Sequence, residues 1–257
     1  MKRKEPDSAF RSGIAAAISP GDMTENPLDN FIWSALSTEQ ASFSIGSDRA
    51  RRFDPAIGPL AGLRDLSPES LAAFAQLVQT TGTSALGLTS VTEDVAVPGT
   101  QVLRGAEGVQ MVFDGNADAL SEIERASEDP RILPLSESDY AEMLELALLT
   151  EPGPFAERTG DLGQFWGVRE NGRLLAMAGQ RVRTASHVEV SGVCTHPDGR
   201  GKGYAALLSR RVAGAILGEG RCPLLHSYAD NETALALYRR LGFVERALVR
   251  FTIYGPE

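Results

Sequence analysis

Apolar positions follow a helical period in some stretches of the chain and a strand period in others. Leu71, Phe74, Ala75 and Val78 recur at spacings of 3, 4 and 7, the stripe of a helix packed on one side. Ser67 is its predicted N-cap, Pro68 lies in its first turn and Gly82 ends it. Around it the signals are weaker. Residues 42–45 read as a short strand and 117–126 as a polar helix. Residues 101–103 and 109–113 read as two strands joined by a hairpin turn at Gly105–Gly108. From residue 131 the pattern sharpens. A strand (131–135) precedes a helix capped by Ser138, whose Tyr140, Leu144, Ala147 and Leu148 share a face. Strands 164–170 and 173–183 flank Asn171-Gly172, a two-residue hairpin turn. A strand (187–195), a helix (202–217), a strand (224–228), a helix (232–241) closed by Gly242 and a strand (243–253) follow.

The order after residue 131 is β-α-β-β-β-α-β-α-β. A hairpin meander leading into a βαβ unit requires a mixed sheet, so the class is α+β. The acidic stretch ending at Pro130 divides a smaller α+β domain (26–130) from a second domain (131–257), and residues 1–25 read as a disordered leader.

Composition narrows the function. A chain of 257 residues can bury a core without staples. Acidic residues outnumber basic ones 34 to 25, for a formal charge of −9. That balance speaks against a protein that neutralises nucleic-acid phosphates. Two cysteines, Cys194 and Cys222, make no disulfide framework, and a reducing cytoplasm is the expected location. No apolar run approaches the ~18 residues of a membrane span. Met1-Lys2-Arg3-Lys4 followed by 14–18 imitates a secretory signal, but Glu5, Asp7, Arg11 and Ser12 interrupt it. Cys194, His196, Cys222 and His226 do not have the spacing of a zinc site, and no metal is expected.

The chemistry concentrates at Val193-Cys194-Thr195-His196-Pro197-Asp198-Gly199-Arg200-Gly201-Lys202-Gly203-Tyr204-Ala205. A strand ends, Pro197 breaks it, glycines free the backbone, and a helix starts at once. Main-chain N–H groups and a helix N-terminus together make a phosphate or pyrophosphate site. Lys202 precedes Gly203 and not Ser or Thr, so the P-loop spacing is absent. Gly201, Gly203 and Ala206 nearly meet the dinucleotide fingerprint. The preceding antiparallel hairpin argues against it.

Arg200-x-x-Gly203-x-Ala205, followed by Asn231-x-x-Ala234-x-x-Leu237-Tyr238-x-x-Leu241-Gly242-Phe243, resembles the acetyl-CoA signature of the GCN5-related N-acetyltransferase (GNAT) superfamily over about 131–254. The whole chain is similar to the FR47-like branch, with Asn26-Pro27-Leu28-Asp29-Asn30 and Trp33-Ser34-Ala35-Leu36 in support. Ala205 stands where the family more often has Gly. The resemblance implies a GNAT-like fold after residue 131 and acetyl-CoA as co-substrate. Val193, Cys194 and Thr195 would pair with pantetheine. Arg200, Gly201, Lys202, Gly203, Tyr204 and Ala205 would hold the pyrophosphate. Asn231 would cap a helix and touch the cofactor. Tyr238 would protonate the departing thiolate, which its ordinary pKa near 10 permits. Glu189 would act as general base through a water, with His226 as its rival. Phe155, Arg158, Trp166 and His226 are candidate contacts of the acceptor, a small-molecule or peptide amine. A non-catalytic acyl-CoA sensor is the alternative function. No nucleic acid or membrane partner is expected, and the first domain is open to being a degenerate copy of the second.

Overall fold

The computed structural model describes residues 26–89 and 91–257, so the expected leader lies outside the described residues. Among the described residues, six α-helices are α1 (Phe31–Ser37), α2 (Pro68–Thr81), α3 (Ala117–Ser127), α4 (Tyr140–Thr150), α5 (Tyr204–Gly218) and α6 (Glu232–Arg240). The same residues form eleven strands: β1 (Ser44–Gly46), β2 (Ala50–Phe53), β3 (Leu60–Leu63), β4 (Ser84–Leu88), β5 (Thr100–Phe113), β6 (Ile132–Leu135), β7 (Phe165–Glu170), β8 (Arg173–Arg183), β9 (His187–Thr195), β10 (Cys222–Tyr228) and β11 (Phe243–Pro256).

All eleven form one mixed sheet in the order β1-β2-β3-β4-β11-β5-β10-β9-β8-β7-β6. Among the described residues only β3/β4 and β10/β9 pair in parallel, each joined by a crossover helix, α2 or α5. The run β1-β2-β3-α2-β4 therefore repeats the pairings of β7-β8-β9-α5-β10. The two runs meet at β5 and β11, and each of these strands lies against the other run: β5 on β10, β11 on β4. Strand alternation feeds separate cores. Val188, Val190 and Leu225 pack under α3, α5 and α6, while Leu224 faces the α1 side with Phe31 and Ile32.

The N-caps show why the sequence folds as it does locally. Ser67 accepts from the Ser70 amide at α2, and Asn116 from the Ala119 amide at α3. Asn171 and Gly172 have φ of 51° and 82°, the left-handed pair of a tight hairpin. Three expectations need correction. The predicted hairpin at Gly105–Gly108 is the interior of one 14-residue strand, β5. Glycine is required there by close approach: a Cβ on Gly105 would lie 2.2 Å from Arg250 Nη2 and 2.5 Å from the Asp94 carboxylate. Ser138 does not cap α4: the N-cap there is Asp139, without a side-chain bond, and Ser136 caps the 3₁₀ turn (Glu137–Asp139) just before it, in a capping box with Asp139. The buried face of α4 carries Met143, Leu146 and Ala147, while Leu148 is exposed.

Candidate functional site

The parallel pair β9/β10 is closed only at its start. Its register runs Cys222↔His187, Pro223↔Val188, Leu224↔Glu189 and then stops, although both strands continue. Gly192 lies just beyond that point, with φ +61°. There the β8/β9 register shifts: Met177 opposes Cys194, but Gly179 opposes Ser191. One extra residue on β9 bends the strand away from β10. A Cβ on Gly192 would also lie 2.9 Å from Phe165 Cε1.

β9 delivers the chain to a 3₁₀ turn (Pro197–Gly199) and then to α5. Gly201 and Gly203 both have φ +77°, and a Cβ on either would meet nothing within 4 Å. Gly203 is the α5 N-cap and supplies no side-chain acceptor. The first-turn amides are thus free for a ligand. At α2 the equivalent end is filled by the chain itself: Ser67 caps it and Asp65 accepts from Ser67 and Ser70. Along α5 opens a cleft of ≈ 800 Å³, lined by Val193, Cys194, Thr195, Arg200, Gly201, Gly203, Tyr204, Ala205, Asn231 and Tyr238. Thr195 Oγ1 is buried with no hydrogen-bond partner. Lys202 Nζ lies 2.7 Å from Glu170 Oε2, so its charge is already paired, and the Tyr204 hydroxyl also bonds Glu170. Asn231 caps α6 through the Ala234 amide at 3.1 Å. Thr150, Glu151, Pro152, Leu237 and Arg240 line the cleft too. No sequence motif marks the first three, which the end of α4 brings there.

Tyr238 is buried on α6, and burial, with Cys194 nearby, pushes its hydroxyl up to about 12. Cys194 is pushed up to about 11 by burial, so it is a thiol at neutral pH.

Glu189 lies at the last closed pair of β9/β10, opposite in face to Val188 and Val190, and is 2% exposed. Arg181 meets it through two nitrogens, Nε at 2.9 Å and Nη2 at 3.2 Å. His226 Nδ1 lies 2.8 Å from Oε1. Burial alone would raise this carboxyl. The Arg181 charge and the His226 contact outweigh it and bring Glu189 to about 2. A cavity of ≈ 20 Å³, the size of one water, lies among Glu189, His226, Arg181, Gln110, Asp29 and Thr89. Sequence reasoning missed Arg181, Gln110 and Asp29, which lie on three separate segments.

The other acceptor candidates are scattered. Phe155 packs edge-on against Phe165 at 5.7 Å, beside Gly192. Arg158 pairs with Asp161. Trp166 is buried in the core under α5, with the Arg211 guanidinium 4.6 Å from its ring centre.

A model of the family described as FR47-like protein matches residues 165–251. No curated protein matches the chain. Among solved structures, a protein from Novosphingobium aromaticivorans DSM 12444 assigned to the GNAT family of acetyltransferases is 41% identical. The match covers 91% of this chain and 100% of that one, with a TM-score of 0.81. A GCN5-related N-acetyltransferase from Kribbella flavida is 13% identical over 88% of this chain and 94% of its own, at TM-score 0.57. A GCN5-related N-acetyltransferase-like protein from Streptococcus suis 89/1591 is 17% identical over 88% and 92%, at 0.56. The last two are likenesses of fold alone.

Proposed function

The chain belongs to the GNAT family, and from that membership we propose that it moves the acetyl group of acetyl-CoA directly to a primary amine. One observation carries the reading: an uncapped helix N-terminus with two left-handed glycines opens beside a splayed strand pair. Acetyl-CoA supplies the thioester. The chain's own groups do the rest. Amides of residues 201–205 hold the diphosphate, and Arg200 adds a charge that Lys202, tied to Glu170, does not. Main-chain groups of Val193, Cys194 and Thr195 line up pantetheine, and a β9 amide near Cys194 polarises the carbonyl oxygen. As the carbon–nitrogen bond forms and the carbon–sulfur bond breaks, Tyr238 gives its proton to the thiolate. Its hydroxyl is fully protonated at neutral pH.

The amine must lose a proton. Glu189 at about 2 is anionic at neutral pH and a weak base by itself. An anion on Nδ1 of an imidazole orients the ring and stabilises its protonated form. The proton acceptor is therefore the Glu189–His226 pair, beside the water-sized cavity. Phe155 flanks the bend at Gly192 and is the acceptor contact we retain. Among the described residues no helix is long and apolar enough to cross a membrane. We assign the reaction to the cytoplasm on the two free cysteines.

Calorimetry with acetyl-CoA, followed by a panel of small amines, amino acids and peptides with release of free thiol as readout, tests the proposal. Binding plus thiol release with one amine class is the expected result. Binding with no release from any member would select the acyl-CoA sensor instead.

A further inference from the structure

His226 is fixed on four sides. The Phe31 and Phe251 rings flank it, with centroids 5.9 and 5.7 Å away. Nδ1 meets Glu189, held from behind by Arg181. Nε2 lies 3.1 Å from Nε2 of Gln110, its direct cross-strand partner on β5.

Which atom carries the ring proton is decided one contact further out. Arg246 has only donors, and its Nη1 lies 2.7 Å from one end of the Gln110 amide, so that end must be the oxygen. The Leu28 carbonyl only accepts, and it lies 3.0 Å from the other end, so that end must be the NH₂. Gln110 therefore offers a hydrogen to His226. A ring nitrogen that accepts a hydrogen bond carries no proton, so the proton belongs on Nδ1, where Glu189 accepts it. A doubly protonated ring would set two N–H groups against each other at Nε2. Arg246 is itself held. It is the extra residue of a bulge between Glu245, opposite Met111, and Ala247, opposite Gln110. Its Nη2 lies 2.7 Å from Asp29 Oδ1. The bulge re-aims its side chain at the amide.

We propose that Gln110, carried into the site on the strand inserted between β10 and β11, is a positioning residue that fixes the His226 tautomer, with the ring proton on Nδ1 and the lone pair of Nε2 turned to the Gln110 amide. The consequence for catalysis rests on the proposed acetyl transfer; the state of the ring does not. First-half residues (Leu28, Asp29, Phe31 and Gln110) would then complete a site whose phosphate loop lies wholly in the second half.

The experiment is a long-range proton–nitrogen NMR spectrum of the three imidazoles in ¹⁵N-labelled full-length protein at pH 7, assigned with His187→Asn and His196→Asn. In the unaltered protein, His226 is expected to show a proton-free Nε2 and a protonated Nδ1. Gln110→Glu puts an acceptor against Nε2 and is expected to give a doubly protonated ring. Arg246→Met frees the amide to turn and is expected to shift the spectrum the same way, to a smaller extent. Acetyl-CoA affinity, by calorimetry, is expected to stay within about twofold in both variants. A proton on Nε2 in the unaltered protein, or an unchanged ring in Gln110→Glu, overturns the proposal; if that variant does not fold, the unaltered protein and Arg246→Met decide. With an amine found by the panel, Gln110→Glu is expected to lower kcat at least about tenfold at constant KM for acetyl-CoA, and undiminished kcat overturns the positioning role. Absence of any acetyl transfer, with the expected ring spectrum, would instead overturn the enzymatic reading and leave the assignment of the ring proton intact.

Discussion

Tyr238 and Glu189 are both buried, yet they hold their protons in opposite ways. Burial keeps the Tyr238 proton on, whereas the Arg181 charge and the His226 contact keep Glu189 bare despite burial. Tyr238→Phe is expected to lower kcat about 10²–10⁴-fold with acetyl-CoA affinity nearly unchanged, as for the loss of a general acid. Steady-state kinetics and calorimetry check it, and unchanged turnover would remove the acid role. Glu189 also has a stability consequence. Its folded pKa of about 2 lies below the ordinary 4.5, so its contribution is fully present above pH 4.5 and is lost as pH falls towards 2. Glu189→Gln leaves Arg181 without its carboxylate and is expected to be less stable than the parent at pH 7. In urea titrations the gap between the two is expected to narrow on acidification below pH 5. A gap independent of pH would contradict the ion pair.

At the scale of the element, local signals worked where an element carries its own cap or turn. Ser67, Asn116, Asn231 and Asn171-Gly172 act within four residues of themselves, so their effect is written in the nearby sequence. β5 is the opposite case. Gly105 and Gly108 read as turn residues, but they are strand residues that make room for Asp94 and for Arg250 and Phe251, the last two more than 140 positions away. Gly105→Ala is expected to cost about 1–3 kcal/mol through forced displacement of the Asp94–Arg250 pair. Thermal denaturation checks this. An unchanged Tm would mean that the pair yields freely. β2, β3 and β4 escaped detection because they have only four or five residues each, too few to establish a period of two.

At the scale of the whole molecule, the division drawn at residue 130 runs across one continuous sheet. β5 comes before that point, yet it fills the place between β10 and β11 and pairs with both. Residues 131–257 expressed alone would expose an edge of β10 and an edge of β11 that β5 normally covers. That fragment is expected to be insoluble or to lack a cooperative transition by circular dichroism. The full chain is expected to unfold in a single step. A soluble, cooperatively folding fragment would show that β5 is dispensable to the second half.

The sequence alone determined the α+β class, the meander followed by a crossover, and the glycine-rich loop with its helix. Each is local: glycines that allow positive φ, a broken strand and a helix start lie within a dozen residues of one another. Only the tertiary structure decided that β9 and β10 part after Glu189, that Lys202 is spent on Glu170, and that Arg246 holds the Gln110 amide against His226. Those contacts join residues as far as 136 positions apart, and what joins them is strand order. Strand order follows from which hydrophobic faces the whole chain must bury together, which no short window of sequence contains.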